Sequence, residues 1–359
     1  MKKPPARPVP DAGDPLVGSL ATTNDERRTT GEPGRLAAQP PGRPAILVLT
    51  GPTASGKTRF AIEVAERIGG EIVSADSMQV YRHLDIGTAK PTPAERARVP
   101  HHLIDVADPD EPYHAARFVA EADRAIAEIA ARGLVPIVCG GTALYVKALL
   151  HGLAPAPGRD PAVRAELEAR WDRGEAATLY AEIRSADPET AGRLHPNDRT
   201  RILRALEVWR VSGRPLSAFL REHGFREARY RALLLALRVD RAELYRRIDE
   251  RVFAMVEAGW VDEVRRVLAL GYWPELPPLR AVGYRQICGH IVEGRPLEEV
   301  IPEIQKETRH FAKRQMTWFR RMPVTWVEPG DVEGAVARWR AFIAAPTPGP
   351  TTVGGDGGE

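Results

Sequence analysis

One octapeptide constrains this chain more than any other stretch. Gly51-Pro52-Thr53-Ala54-Ser55-Gly56-Lys57-Thr58 fits G-x-x-x-x-G-K-[ST]. The run before it, Ala45–Thr50 (AILVLT), is short and continuously apolar, as a buried parallel strand is. A helical period follows it to about Ile68 and stops at Gly69-Gly70. In that setting the glycines let backbone N–H groups turn inward on phosphate oxygens, and the helix N-terminus adds its partial positive charge. Lys57 supplies a full charge, and the Thr58 hydroxyl is suited to ligate Mg²⁺. A glycine-rich turn with no ligand is the plainer alternative, but it leaves the complete motif in its strand–loop–helix setting to chance. The octapeptide therefore reads as a diphosphate or triphosphate cradle.

The rest of the chain repeats the strand–helix alternation. Residues 71–74 and Val135–Cys139 read as buried strands, 113–132 as an amphipathic helix, and the turn Gly140-Gly141-Thr142 opens another helix. The pattern predicts a parallel α/β sheet. From about 161 to 225 only helical periodicity appears, so a helical insertion is expected. A strand over 233–239 precedes Asp240, which with Glu243 three residues on forms a capping box for a helix through Ala258. Helices over 283–292 and Leu297–Phe319, a strand over 324–327 and a closing helix follow. The domains expected are a disordered extension over 1–43, a first core part over 44–155, an Arg-rich helical insertion over 156–228, a second core part over 229–345 and a disordered tail over 346–359.

Composition excludes several classes. No apolar run approaches the roughly 20 residues of a membrane helix. The two cysteines, Cys139 and Cys288, form neither a disulfide framework nor a metal cluster, which points to a reducing cytoplasm. The acids Asp11, Asp14, Asp25, Glu26 and Glu32 argue against a transit peptide. A net charge of +3 says little about nucleic acid, but local charge says more. Ten arginines between Arg193 and Arg231 face only four acids, and Lys306, Arg309, His310 and Lys313 share one face of the late helix. The alternative for these cations is a solvated helix surface. A hydrolase would also carry a long apolar strand ending in a magnesium-binding Asp. Here the most apolar later strand ends in Cys139-Gly140-Gly141, and the other candidate, His102-Leu103-Ile104-Asp105, has two apolar residues.

Six further strings follow the octapeptide in order: SADSMQVY (74–81), DIGTAKP (85–91), GGT (140–142), HPND (195–198), VGYRQ (282–286) and KRQMTW (313–318). Together they resemble the bacterial tRNA dimethylallyltransferases, also called tRNA isopentenyltransferases, over roughly 45–328. The resemblance implies a P-loop kinase-like parallel sheet core with a helical insertion. It implies transfer of a dimethylallyl group from dimethylallyl diphosphate to N6 of adenine 37 in the tRNA anticodon loop, with Mg²⁺. It places Gly51, Pro52, Thr53, Ala54, Ser55, Gly56, Lys57 and Thr58 on the diphosphate. The tRNA would touch Asp76, Ser77, Met78, Gln79, Thr142, Arg164, Thr200, Arg201, Ile202, Leu203, Arg204, Arg280, Ala281, Val282, Gly283, Tyr284 and Arg285. It also implies an arginine on the diphosphate, for which Arg247 and Arg251 both stand as candidates.

The chemistry fits these residue types. A phosphate loop, a lysine and a metal neutralise the charge that grows on the leaving diphosphate. The amino lone pair of adenine is delocalised into the ring, and a carboxylate accepting from N6–H localises it and takes the proton. Asp76, at the carboxyl end of the second strand, is placed for that role. By itself it reads more readily as an Asx turn or a helix cap, and the resemblance decides for the general base. Thr142 is suited to bond the adenine or the Asp76 carboxylate, Gln79 to read an adenine edge, and Tyr284 to stack on an exposed base. Phe311 and Trp318 are expected in the core. A small-molecule P-loop kinase shares the loop, the sheet and the Mg²⁺ site, and a nucleotide-gated RNA-binding protein without chemistry shares the loop and the basic segments. No oligomerisation signal is present, so a monomer is expected.

Overall fold

Because each strand run is apolar on both faces, the sheet it builds has to be covered on both sides. The computed structural model describes residues 44–346. The disordered extension expected over 1–43, and all of the expected tail except Pro346, lie outside the described residues. The described residues form two compact units, one of residues up to Leu150 and from Ala228 onward, the other His151–Glu227.

The first unit opens with β1 (Ala45–Thr50), α1 (Lys57–Ile68), β2 (Gly70–Ser74), α2 (Pro93–Arg98), β3 (His101–His102), α3 (Ala115–Ala131), β4 (Val135–Cys139) and α4 (Ala143–His151). In the second unit, α5 (Pro161–Asp172), α6 (Ala176–Ala186), α7 (Pro188–Ala191), α8 (Arg199–Ser212) and α9 (Leu216–His223) pack without a strand. The chain returns to the first unit through β5 (Arg231–Leu237), α10 (Arg241–Glu257), α11 (Trp260–Ala269), a 3-10 turn (Pro277–Arg280), α12 (Tyr284–Glu293), α13 (Leu297–Phe319), β6 (Thr325–Val327) and α14 (Val332–Ala344).

All six strands run parallel in the order β3-β2-β4-β1-β5-β6, with Leu47 opposite both Ile137 and Leu233. Alternate side chains of β1 point to opposite faces, and Ile46, Leu47 and Val48 are all 0% exposed. One face is closed by Phe60 and Val64 of α1 and Trp339 of α14, and α3 packs against β2 and β4. The helical unit has its own core of Leu167, Leu179, Ile183, Ile202, Leu203 and Leu206. This is the parallel α/β sheet with a helical insertion that the periodicity predicts.

Differences lie at boundaries and in short elements. The helix expected from 113 begins at Ala115, because the His114 ring caps it by accepting from the Arg117 N–H at 3.2 Å. The strand expected over 233–239 lies two residues earlier. Asp240 caps α10 by accepting from Ala242 and Glu243 N–H. The reciprocal half of that box is missing, since the Glu243 carboxylate accepts from Arg246 and Arg247 instead. Strand β3 and helices α2 and α11 have no counterpart in the periodicity reading. Two of them are shorter than the windows that reveal a period, and α11 follows α10 after a left-handed Gly259.

Candidate active site

The parallel strands point their carboxyl ends at one edge, and the loops that leave β1, β2 and β4 meet there. The first is the phosphate loop, which enters α1 through Gly56 at φ 86°, a conformation only glycine adopts freely. The Ser55 hydroxyl is buried and has no partner among the described residues, an arrangement that suits a ligand oxygen. Lys57 Nζ donates to the Pro52 carbonyl at 2.8 Å. Burial holds the Lys57 ammonium down at about 8, against the opposing pull of Cys139 and Asp76, while Arg251 adds a like charge. Thr58 lines the same cavity.

That cavity has two lobes of about 380 Å³ each. The first is lined by the phosphate loop, Cys139, Gly140, Gly141 and Gln315. The second is lined by Ser77, Met78, Thr142, Arg280, Ala281 and Val282, over an apolar floor that includes Ile248, Val252, Met255 and Ile304. Thr53, Ala54, Asp76, Thr88, Arg251 and Phe311 line both. Asp76 thus stands where the two lobes meet.

Asp76 serves its turn with one oxygen only. Oδ1 accepts from Met78 N–H at 2.8 Å and from Gln79 N–H at 3.3 Å. The Asx turn and the cavity carboxylate, alternatives on the sequence, are the same residue. Thr142 supports that turn without reaching the carboxylate: its Oγ1 accepts from Ser77 N–H at 3.0 Å. The two arginines separate cleanly. Arg251 lines both lobes and has no hydrogen-bond or ion-pair partner among the described residues, and burial lowers its pKa against the pull of Asp76. Arg247 is turned away and donates to Glu243 at 2.7 Å.

Several expected contacts are committed within the chain. Gln79 accepts from Ser74 Oγ and donates to the Thr88 and Ala89 carbonyls, so its amide holds the 88–89 loop and is not open to an adenine edge. Tyr284 is 1% exposed and packs edge-on against Trp260, a buried prop of the second lobe rather than a stacking platform. Phe311, expected in the core, is 41% exposed and lines both lobes, whereas Ile304 on the same helix is buried. Phe311 faces the cavity, so part of its ring has no packed neighbour. Trp318 is half-buried.

In the helical unit, Ile202 and Leu203 are core residues, 0% exposed, and present no side chain to a ligand. Arg204 donates to the Pro157 carbonyl at 2.6 Å and to Glu207, Arg164 to Glu168 at 2.8 Å, and Arg201 to Asp198 at 2.9 Å. Thr200 is half-buried beside them. These arginines brace their own unit first. In the first unit Arg280 and Arg285 are exposed, whereas Gly283 is buried, and Arg309 is paired with Asp249. Asp105 is not a free base either, since Lys90 Nζ lies 2.5 Å and Arg96 2.7 Å from its carboxylate and lower its pKa against burial. Two residues with no sequence signal of their own matter here: Gln315, inside a quoted string but without an evident role, and Glu263, whose partners lie far along the chain.

Comparison with known proteins follows the same outline. Residues 79–322 match the IPP transferase family, and residues 44–105 match isopentenyl transferase. The chain is 51% identical to the tRNA dimethylallyltransferase 1 of Citrifermentans bemidjiense, over 83% of this chain and 97% of that one. The chain belongs to the tRNA dimethylallyltransferase family. A second family member, from Sorangium cellulosum, is 53% identical over 80% of this chain and 91% of its own. The crystal structure of the Bacillus halodurans tRNA isopentenylpyrophosphate transferase superposes with a TM-score of 0.60 at 38% identity, covering 84% of this chain and 95% of that one. A eukaryotic dimethylallyltransferase captured acting on tRNA superposes with a TM-score of 0.70 at 27% identity, covering 83% and 77%. Among the described residues no helix is long and apolar enough to cross a membrane.

Proposed function

We propose that this transferase moves a dimethylallyl group from dimethylallyl diphosphate to N6 of adenine 37 in tRNA. The observation that carries the reading is Asp76, a carboxylate with one oxygen anchored in its turn, standing where a phosphate-loop lobe meets a second lobe with an apolar floor. The diphosphate takes the first lobe, held by Lys57, Ser55 and Arg251. The allylic chain and the adenine meet near Asp76. As the C1–O bond breaks, its electrons leave with the diphosphate, N6 bonds to C1, and the N6 proton passes to the free oxygen of Asp76. Lys57 and Arg251 face the leaving charge before the reaction starts, so little reorganisation opposes it.

Mg²⁺ belongs to this proposal. It is commonly held by one or two protein oxygens with phosphates and water supplying the rest, and the Thr58 hydroxyl beside the loop fits that demand. When bound it would neutralise the diphosphate further. The names of the relatives and the structure captured on tRNA support tRNA as acceptor. A cytoplasmic setting, which two free cysteines support, and a monomer complete the reading.

A small-molecule kinase would share the loop, but the apolar floor under Asp76 suits an allylic chain better than a sugar. One assay decides. Unmodified tRNA is incubated with Mg²⁺ and either labelled dimethylallyl diphosphate or labelled ATP. Label from the allylic chain on tRNA is expected, and phosphate transfer to a small acceptor with no prenyl transfer would overturn the proposal.

A further inference from the structure

Gln315 is 6% exposed on α13 and touches two of the three loops at the site. Its Oε1 accepts from the Thr53 N–H at 2.8 Å, and its Nε2 donates to the Gly141 carbonyl at 2.9 Å. One amide therefore bridges the phosphate loop and the turn after β4. Each anchor adjoins a working group. Thr53 follows Pro52, whose carbonyl holds Lys57, and Gly141 precedes Thr142, which holds Ser77 next to Asp76. The contact with Gly141 is close: a Cβ there would lie 2.5 Å from Gln315 Nε2.

We propose that Gln315 is a positioning residue that sets the spacing between the diphosphate cradle and the Asp76 end of the cavity. The inference rests on the proposed transfer reaction, in which those two ends hold the leaving group and the nucleophile. The side chain has to accept from an N–H and donate to a C=O in one rigid plane, which an amide of this length does at any pH and a carboxyl only when protonated. Misplacing reacting groups by about 1 Å lowers a rate by on the order of a hundredfold, with less effect on the binding of either substrate alone.

Two variants separate positioning from mere packing. Gln315→Met fills the volume and makes neither bond. Gln315→Glu keeps the acceptor for Thr53, but when ionised it sets an oxygen against the Gly141 carbonyl. Protonation restores the missing donor. The other charged or titratable groups lining this lobe, Lys57, Asp76, Lys90, Glu95, His101, Cys139, Arg59 and Arg251, are the same in every variant. The ratio to wild type at each pH therefore isolates position 315.

Single-turnover transfer to unmodified tRNA is measured from pH 5.5 to 8.5, with binding of dimethylallyl diphosphate and of tRNA measured separately. Gln315→Met is expected to slow transfer by about 30- to 100-fold at all pH values, with either binding constant changed by less than about threefold. Gln315→Glu should be comparably slow at pH 8.5 and recover relative to wild type as pH falls. The inference is overturned if Gln315→Glu follows the wild-type pH profile, or if either variant loses only diphosphate affinity while its bound-state rate is intact. A Met variant that fails to fold beside a Glu variant with wild-type rates would assign Gln315 to stability alone, which also overturns it. Prenyl transfer by the wild type is the control for the reaction itself, so its absence would count against the proposed function and not be mistaken for an effect at Gln315.

Discussion

The Tyr284 hydroxyl donates to Glu263 at 2.7 Å, and the same carboxylate accepts from the backbone N–H groups of Asp85, Ile86 and Gly87. Glu263 is 2% exposed and meets no cation among the described residues. Four donors replace the water it has lost, and through them α11 and α12 hold the loop that carries Thr88 into the cavity. Glu263→Gln sets an NH₂ group against N–H donors and should cost about 3 kcal/mol or more. Tyr284→Phe removes one donor of four and should cost about 1–2 kcal/mol. Urea unfolding of both variants checks the order, and equal losses would mean the carboxylate is not the organiser of this loop.

Asp76→Asn should keep the fold, because the amide oxygen replaces Oδ1 in the turn to Met78 and Gln79. Its NH₂ then occupies the position of the free oxygen and has no capacity for a proton. Transfer should fall at least about a hundredfold in single-turnover experiments, with diphosphate binding unchanged. A near wild-type rate would leave Asp76 as a turn residue alone.

Lys57 makes diphosphate binding depend on pH. Burial lowers its pKa to about 8 in the free protein, and a bound anion favours the charged form and raises it again. Binding therefore takes up a proton near pH 8, and affinity falls as pH rises, approaching about tenfold per unit well above that value. Calorimetry in buffers of different ionisation enthalpy reads the uptake directly. Lys57→Ala should abolish the pH dependence and slow transfer by about two to three orders of magnitude while leaving tRNA affinity unchanged.

Arg251 and Arg247 lie four residues apart on α10 with opposite fates. Arg251→Gln should lower transfer by on the order of a hundredfold, since it removes a fixed cation from the leaving group. Arg247→Gln, which breaks only a half-buried pair with Glu243 away from the cavity, should change transfer by less than about twofold. Equal effects from the two would break the assignment.

The cationic face of α13 should act unevenly. Lys306 and Lys313 are exposed, and neither has an ion-pair partner among the described residues, whereas Arg309 is held by Asp249. Neutralising Lys313 should flatten the log–log salt dependence of tRNA binding by about one unit. Neutralising Arg309 should flatten it less, and would instead loosen α13 from α10. The slope of tRNA affinity against salt distinguishes the two.

Much of this protein is local. A strand buried on both faces needs a continuous apolar run, a phosphate cradle needs glycines, Lys and Thr at set offsets, and a strand-end carboxylate needs only its place after the strand. Those signals sit within a few residues of one another, so Ala45–Thr50, the octapeptide and the strand-end place of Asp76 were determined by sequence alone, and the six ordered strings added the family and with it the reading of Asp76 as a base. What tertiary structure decided depends on distance along the chain. Gln315 meets Thr53 across 262 residues and Gly141 across 174. Glu263 reaches the 85–87 loop across more than 170 residues, and no period or spacing encodes such a pairing. The roll of a helix is likewise set by its neighbours, which turned Arg251 inward and Arg247 outward and exposed Phe311 while burying Ile304. Gln79 and Tyr284 carry the chemistry to meet a base, but the groups that folding placed around them had already used it.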